Sequence, residues 1–400
     1  MNKPGKDLDD HLIALKTDRL RTGMHIAALD RLWLHTPFPP GGFYVRNQQQ
    51  IDRISRYCSS VYIDPLMSED PENTVVPFEP ISAAALAPRV NQHDVGEELR
   101  WARQALGSLQ VAVRTMIREV RMGSLPDTPA LNTVLGPVVD SVQRCPDALL
   151  WLIHTEKLGG YLYRRAIVTA ITATAFGYRL GFDRDSLMEL ALGGLLMDIG
   201  KIEVPVTLLA KPELLTPIEH CVVRRHVSHA LGMVKVMENV PERVVDMVSS
   251  HHERFDGSGY PQQQCGTEIP LFARIAGIVD TFDAITLERR YAPAISGHNA
   301  LRYLNSQRRS KFDGALMQEF IQAMGVYPTG TWVELLDGSV GMVCSQDARW
   351  PMTPRVAVVR DPNGNQVAPI LVATTRANPI INARQTPEID LLAPDLEAIA

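Results

Sequence analysis

The run HHERFDGSGYPQ, His251 to Gln262, decides how this chain is read. Two adjacent histidines close a helical pattern, PERVVDMVSS, and a Gly-Ser-Gly-Tyr-Pro turn follows within a few residues. The turn residues punctuate the helix and fix where the imidazoles stand. Working outward, further ligand-type side chains occur at Asp198 in MDIGK, His226 in RRHVSH and Asp280 in IVDTFDA. Each lies on or near the end of a different helical segment, and a helical bundle can aim such residues at one interior point. Any one of them alone reads as a hydrogen-bonded structural group. The set of five, in this order and spacing, is hard to explain as packing.

Imidazole and carboxylate without thiolate suit a borderline-hard divalent ion, iron or manganese rather than zinc. A carboxylate can bridge two such ions, which then hold a hydroxide and clamp a phosphodiester. Lys201 follows Asp198 by three residues, on the same expected helix face, where it can meet a phosphate oxygen.

The rest of the composition narrows the class. With a net charge of -5 there is no global basic field, and no basic-aromatic stripe interrupts it, so nucleic acid is not an expected partner. The five cysteines are scattered without a C-x-x-C pair, which argues against disulfides and for a reducing compartment. The opening MNKPGKDLDDHL has no apolar core, and the most apolar window, LMELALGGLLMDIG, carries Glu189 and Asp198. Neither is a signal or a membrane span, and a cytoplasmic location is expected.

Residues 1–90 read as a small β-rich module and linker. GMHIAAL and SVYIDP are strand-like, PFPPGGFYV turns into another strand, and NQQQIDRISRYC fits one helix. Residues 91–127 form a connecting helix with apolar residues at Leu99, Ala102, Leu106, Leu109, Val113 and Ile117. Its heptad-like spacing leaves two readings, a homodimer face or a helix docked on its own chain. Residues 128–328 are helical in nearly every segment. Residues 329–400 alternate like strands, with turns at Asp337-Gly338 and Asn363-Gly364, and end in a loose tail. The expected fold is mainly α: an HD-type all-helical bundle with a small β-rich N-terminal domain and a short β C-terminal extension.

LLMDIGKIEVPVTLLAKPELLTPIEHCVVRRH, followed by SSHHERFDGSGYPQQQCGTEIPLFARIAGIVDTFDAITLERRY, resembles the HD-GYP family of bacterial metal-dependent cyclic di-GMP phosphodiesterases over roughly residues 140–328. The N-terminal stretch resembles a small module that often precedes such domains. The resemblance implies cyclic di-GMP as ligand, and other signalling proteins as partners through the GYP loop or the N-terminal module. It implies that Asp198 bridges metals, that His226, His251, His252 and Asp280 are further ligands, and that Lys201 assists catalysis. It implies that Arg289 contacts the nucleotide phosphate and that Gly257, Gly259, Tyr260 and Pro261 form a loop beside the site.

Two departures matter most. The name-giving His-Asp pair is Met197-Asp198 here, and the position of the family's first metal histidine holds Arg165. A further basic position after Arg289 is Ala292. A thioether is a poor ligand for iron or manganese, and a guanidinium has no lone pair to give. One metal position would keep only Asp198 and Asp280. The other keeps Asp198, His226, His251 and His252, so one ion is expected rather than two, with hydrolysis impaired and cyclic di-GMP binding retained. Arg165 has two open placements: paired with Asp198 and Asp280 in place of the missing ion, or turned to solvent beside Arg164.

Overall fold

Apolar residues recurring every third or fourth position build most of this chain as helices. The computed structural model describes residues 13–29, 38, 43–58, 60–64, 91–156, 158–211, 213–287, 294–308, 310–346, 353–375, 377–384 and 396. The expected linker at 66–90, the Arg289 and Ala292 positions and the tail beyond 384, apart from Leu396, lie outside them. The chain divides into two units, residues 1–80 and 81–400.

In the first unit, strands β1 (Ile13–Lys16), β2 (His25–Leu29), β3 (Phe43–Tyr44) and β4 (Ser60–Asp64) pair antiparallel in the order β1-β4-β2-β3. Helix α1 (Gln48–Tyr57) starts where Asn47 Oδ1 accepts from Gln50 N at 2.9 Å, satisfying one orphan donor. It buries Ile51 and Ile54 in the same apolar cluster as Ile26, Phe43 and Val61.

The second unit opens with α2 (Val95–Arg121), capped by Asp94, whose side chain accepts from Gly96 N at 3.0 Å. There follow α3 (Thr128–Arg144), α4 (Pro146–Thr155), α5 (Tyr161–Arg179) and α6 (Arg184–Leu196). After a 3-10 turn at Ile199–Glu203 come α7 (Val206–Leu209), α8 (Pro217–Arg224), α9 (His226–Val236), α10 (Glu242–Ser250), α11 (Leu271–Thr286), α12 (Gly297–Ser306) and α13 (Gly314–Met324). The helix α5 is apolar nearly all round, so it sits at the centre and packs on α2, α3, α4, α6, α11 and α13. The apolar face of α2, from Leu99 to Val120, is consumed in this same core against α3, α4 and α5. The helix is docked on its own chain, and that face is not a dimer seam.

Strands β5 (Trp332–Leu335), β6 (Val340–Ser345), β7 (Arg355–Arg360), β8 (Gln366–Ala373) and β9 (Ile380–Arg384) form an antiparallel sheet in the order β8-β7-β6-β5-β9. Buried Asp147 at the start of α4 ties this sheet to the bundle. It accepts from Thr329 Oγ1 at 2.6 Å and from Gln346 N at 3.0 Å. The five cysteines are free, and no described helix is long and apolar enough to cross a membrane.

Two stretches whose apolar period runs on as a single helix are interrupted in the structure. LLMDIGKI is not one helix: α6 ends at Leu196, Met197 is its C-cap, and Lys201 lies in the 3-10 turn. A 3-10 turn still stacks positions three apart, so Lys201 reaches Asp198. The stretch from Pro217 to Val236 breaks at Arg225, whose N–H bonds back to Val222 at 3.2 Å. Immediately after the break, His226 Nδ1 donates to the Val223 carbonyl at 2.7 Å. Neither Gly nor Pro marks the place, so periodicity alone runs the two helices together.

Candidate metal centre

Three helix ends and the 3-10 turn meet at one buried point. Asp198 follows α6, His226 opens α9, and His251 and His252 follow α10. Gly200 lets the turn touch α9, since a Cβ there would strike the His226 carbonyl. One ligand-type atom from each of Asp198, His226, His251 and His252 lies within 4.8 Å of all the others. The Nε2 atoms of His226 and His252 are 3.2 Å apart. Cis ligands on metal–nitrogen bonds of about 2.1 Å stand roughly 3.0–3.4 Å apart, so the separation fits two imidazoles on one ion.

The hydrogen bonds set the tautomers. His226 Nδ1 donates to Val223 O at 2.7 Å and His251 Nδ1 donates to Val248 O at 3.0 Å. Each ring therefore turns a lone pair on Nε2 inward. His251 Nε2 and Asp198 Oδ1 are buried without a hydrogen-bond partner. A neutral nitrogen and a carboxylate oxygen facing each other at 3.8 Å, both acceptors, are what a cation between them would satisfy. Burial pushes His226 down to about 4 and lowers His251 and His252 as well, so all three are neutral at physiological pH and ready to ligate. The residues present fit one divalent ion.

The other side of Asp198 is cationic. Arg165 of α5 is only 2% exposed. Its Nε donates to Asp198 Oδ2 at 3.0 Å, and its Nη2 pairs with Asp280 Oδ1 on α11. The solvent-facing placement is not the one adopted. Lys201 Nζ adds a second contact to Asp198 Oδ2 at 2.6 Å. Burial alone would raise Asp198, but Lys201 and Arg165 hold its carboxyl well below the usual range. Asp280 is lowered against its burial chiefly by Arg165. Burial would lower Arg165, yet Asp280 and Asp198 raise it well above its ordinary value, so it stays charged. Asp280 stands apart from the four-residue cluster, with its Oδ2 3.7 Å from His252 Nδ1. Met197 is fully buried in the apolar core.

The GYP loop forms one rim. Tyr260 stacks on His252, with centroids 4.7 Å apart, and Arg224 covers the Tyr260 ring at 4.7 Å. Burial raises the Tyr260 hydroxyl above its ordinary pKa, so it is neutral. Gly259 is pressed against the backbone of Glu253 and Arg254, where no Cβ fits, and Gly257 takes φ +76°. Pro261 follows through a cis peptide, and Glu253 Oε1 accepts from Gln262 N at 2.6 Å.

A cavity of about 1030 Å³ opens over Arg165, Lys201, His226, His252, Tyr260 and Asp280. Sequence reasoning missed one wall, which α2 supplies through Arg114, Arg118 and Arg121. The signal was there, arginines spaced by four and three on the polar face of that helix, but nothing in the sequence says which element that face looks upon.

Compared with known proteins, residues 152–316 match the HD domain family and residues 12–131 match a domain of unknown function, DUF3391. The chain is 33% identical over 345 residues to cyclic di-GMP phosphodiesterase PA4108 of Pseudomonas aeruginosa, an alignment covering 85% of this chain and 83% of that protein. It is 31% identical over 243 residues to the cyclic di-GMP phosphodiesterase response regulator RpfG of Xanthomonas campestris pv. campestris, covering 60% of this chain and 63% of that one. Among solved structures, an HDG"Y"P protein from Bdellovibrio bacteriovorus aligns at 15% identity with a TM-score of 0.47, over 77% of this chain and 98% of that chain.

Proposed function

Since the chain belongs to the HD-GYP family of cyclic di-GMP phosphodiesterases, we propose that it binds cyclic di-GMP beside a single metal ion and has lost useful hydrolysis. The observation that carries this reading is the buried Arg165 guanidinium bridging Asp198 and Asp280. Two-metal hydrolysis needs an ion between those carboxylates to stabilise both the attacking and the leaving oxygen. A guanidinium brings the charge to that place and nothing else. It accepts no lone pair and does not bring a bound water into the neutral pH range.

Asp198, His226, His251 and His252 would hold the ion, and a donor set of imidazole and carboxylate without thiolate suits iron or manganese. When bound it supplies Lewis acidity toward a phosphate oxygen. Lys201 and Arg165 keep Asp198 ionised, and Tyr260 braces His252. Arg289 lies outside the described residues, and its contact with a nucleotide phosphate belongs to this proposal. The free cysteines agree with a cytoplasmic setting.

The test is elemental analysis after loading with Mn(II) or Fe(II), combined with calorimetric titration of cyclic di-GMP and a turnover assay. One ion per chain, saturable binding and no linear dinucleotide product are expected. Two ions per chain, or turnover in the range of active phosphodiesterases, overturns the proposal.

A further inference from the structure

The cavity has more positive charge than its metal end uses. Arg114, Arg118, Arg121, Arg165, Lys201 and Lys211 line it, against one lining carboxylate, Asp280, among the described residues. Half of these cations are already committed. Arg165 and Lys201 serve Asp198 and Asp280, and Lys211 pairs with Glu219 at 2.7 Å. The remaining three stand on α2. Arg114 lies over the Tyr163 ring at 5.3 Å, and no carboxylate of a described residue pairs with Arg118 or Arg121.

Their spacing puts the three guanidinium groups on one helix face over roughly 10 Å of rise. Uncompensated cations aimed into a concave site concentrate anions there, and the guanidinium fork matches phosphate oxygens bidentately. The same cavity is lined by His226 and His252 of the metal site, which serves one phosphodiester only. A cyclic dinucleotide carries two.

We infer that Arg118 and Arg121, with Arg114 behind them, form the subsite for the second phosphodiester of a cyclic dinucleotide, the one remote from the metal. This rests on reading the chain as a cyclic di-GMP binder. It also gives the N-terminal family segment a part in the site, because the DUF3391 match runs from residue 12 to 131 and so includes α2. The part of that match that lies in the second unit, α2, supplies one wall of the ligand cavity.

The experiment uses the full chain loaded with Mn(II) and titrated calorimetrically with cyclic di-GMP at several salt concentrations. Both side chains are exposed and the buried face of α2 is untouched, so Arg118→Ala with Arg121→Ala leaves the fold and the metal content intact. The double variant should bind about 10- to 100-fold more weakly, the loss expected for charged hydrogen bonds, and its affinity should depend less steeply on salt. Arg118→Lys with Arg121→Lys should keep the salt dependence and recover part of the affinity. Double-alanine affinity within about twofold of the parent overturns the subsite while leaving the binding reading in place. A parent chain that binds no cyclic di-GMP overturns both.

Discussion

Arg165 Nε donates to Asp198 Oδ2 at 3.0 Å, and this contact decides which oxygen of the aspartate is free. Lys201 takes the same Oδ2 at 2.6 Å. The other oxygen faces His226 Nε2 at 3.4 Å and His251 Nε2 at 3.8 Å and has no hydrogen bond. A metal-bridging aspartate divides its oxygens between two ions. Asp198 divides them between a cationic side chain and a nest of neutral imidazoles. Arg165 occupies the side of Asp198 on which the resemblance implies a second metal, and the other side keeps a free oxygen facing the imidazoles.

Removing the guanidinium should therefore unbalance the core more than the site. Arg165→Ala leaves Asp198 and Asp280 buried with Lys201 as their remaining strong cation. Breaking one partner of a buried ion pair costs about 3–5 kcal/mol. The metal-free variant should unfold at correspondingly lower urea, and Arg165→Lys, lacking the planar fork, should recover only part. A variant as stable as the parent would show that the pairing contributes nothing.

His251 tests the metal site from the other side. Its ring is buried, its Nδ1 is committed to Val248 O at 3.0 Å, and its Nε2 has no other partner. His251→Ala should lower Mn(II) content from one per chain toward zero and abolish the thermal stabilisation that added metal gives. Elemental analysis and melting curves with and without Mn(II) read both effects. Retention of a full equivalent of metal would mean that His251 is not a ligand.

Much of this site was legible in the chain. The adjacent histidines and their turn sit in one run, and Asp198 and His226 fall at helix ends where a bundle must converge, while Asp280, expected at a helix end, lies inside α11. Met197 and Arg165, where the resemblance implies histidines, were equally plain. What periodicity does not encode is direction across the bundle. Arg165 could turn inward or outward from the first turns of α5, and only burial beside two carboxylates decides it. The α2 arginines are some eighty residues from Asp198 in sequence, and their meeting depends on how α2 docks. The break at Arg225 carries neither Gly nor Pro and so leaves no compositional trace.

Gly259 holds the rim of the site by having no side chain. A Cβ there would meet the backbone of Glu253 and Arg254, which cannot move without shifting the residues that follow His252. Gly259→Ala should cost about 1–3 kcal/mol, the usual cost of overpacking, and weaken metal retention as Tyr260 leaves its stack on His252. Denaturation midpoints together with metal affinity check this, and unchanged values for both would contradict it.

Asp283 makes stability depend on pH. Its carboxyl is buried on α11, accepts from Thr169 Oγ1 at 3.1 Å, and is raised, chiefly by burial, from 3.8 to about 7. A carboxyl whose folded pKa exceeds its unfolded value favours folding fully below the unfolded value. That contribution is lost as pH rises to the folded value, here between about 4 and 7. Asp283→Asn keeps an acceptor for Thr169 and removes the ionisation. The variant should be more stable than the parent by about 2–4 kcal/mol at pH 8, with the difference vanishing near pH 4. Urea denaturation across that range measures it. A difference that does not change with pH would mean that Asp283 titrates elsewhere.

Returning both histidines should rebuild the missing half of the centre. Arg165→His removes the guanidinium from between Asp198 and Asp280 and offers an imidazole in its place. Met197→His adds a second imidazole beside Asp198, from a position now occupied by a thioether buried in the core. Neither change suffices alone. With Arg165 present its charge repels a second cation, and with Met197 present the incoming ion finds one imidazole too few. The double variant should hold two Mn(II) per chain where the parent holds one. A second Lewis acid on the scissile phosphate is worth several kcal/mol, so turnover of cyclic di-GMP should rise roughly 100-fold or more over the parent. The single variants separate the causes: Arg165→His alone should lose stability that Mn(II) partly restores, and Met197→His alone should change neither metal content nor turnover. If the double variant takes up a second ion and still does not turn over, the block lies in the nucleotide's position and not in the missing metal. If the parent already hydrolyses cyclic di-GMP as fast as the double variant, Arg165 is not what silences the site.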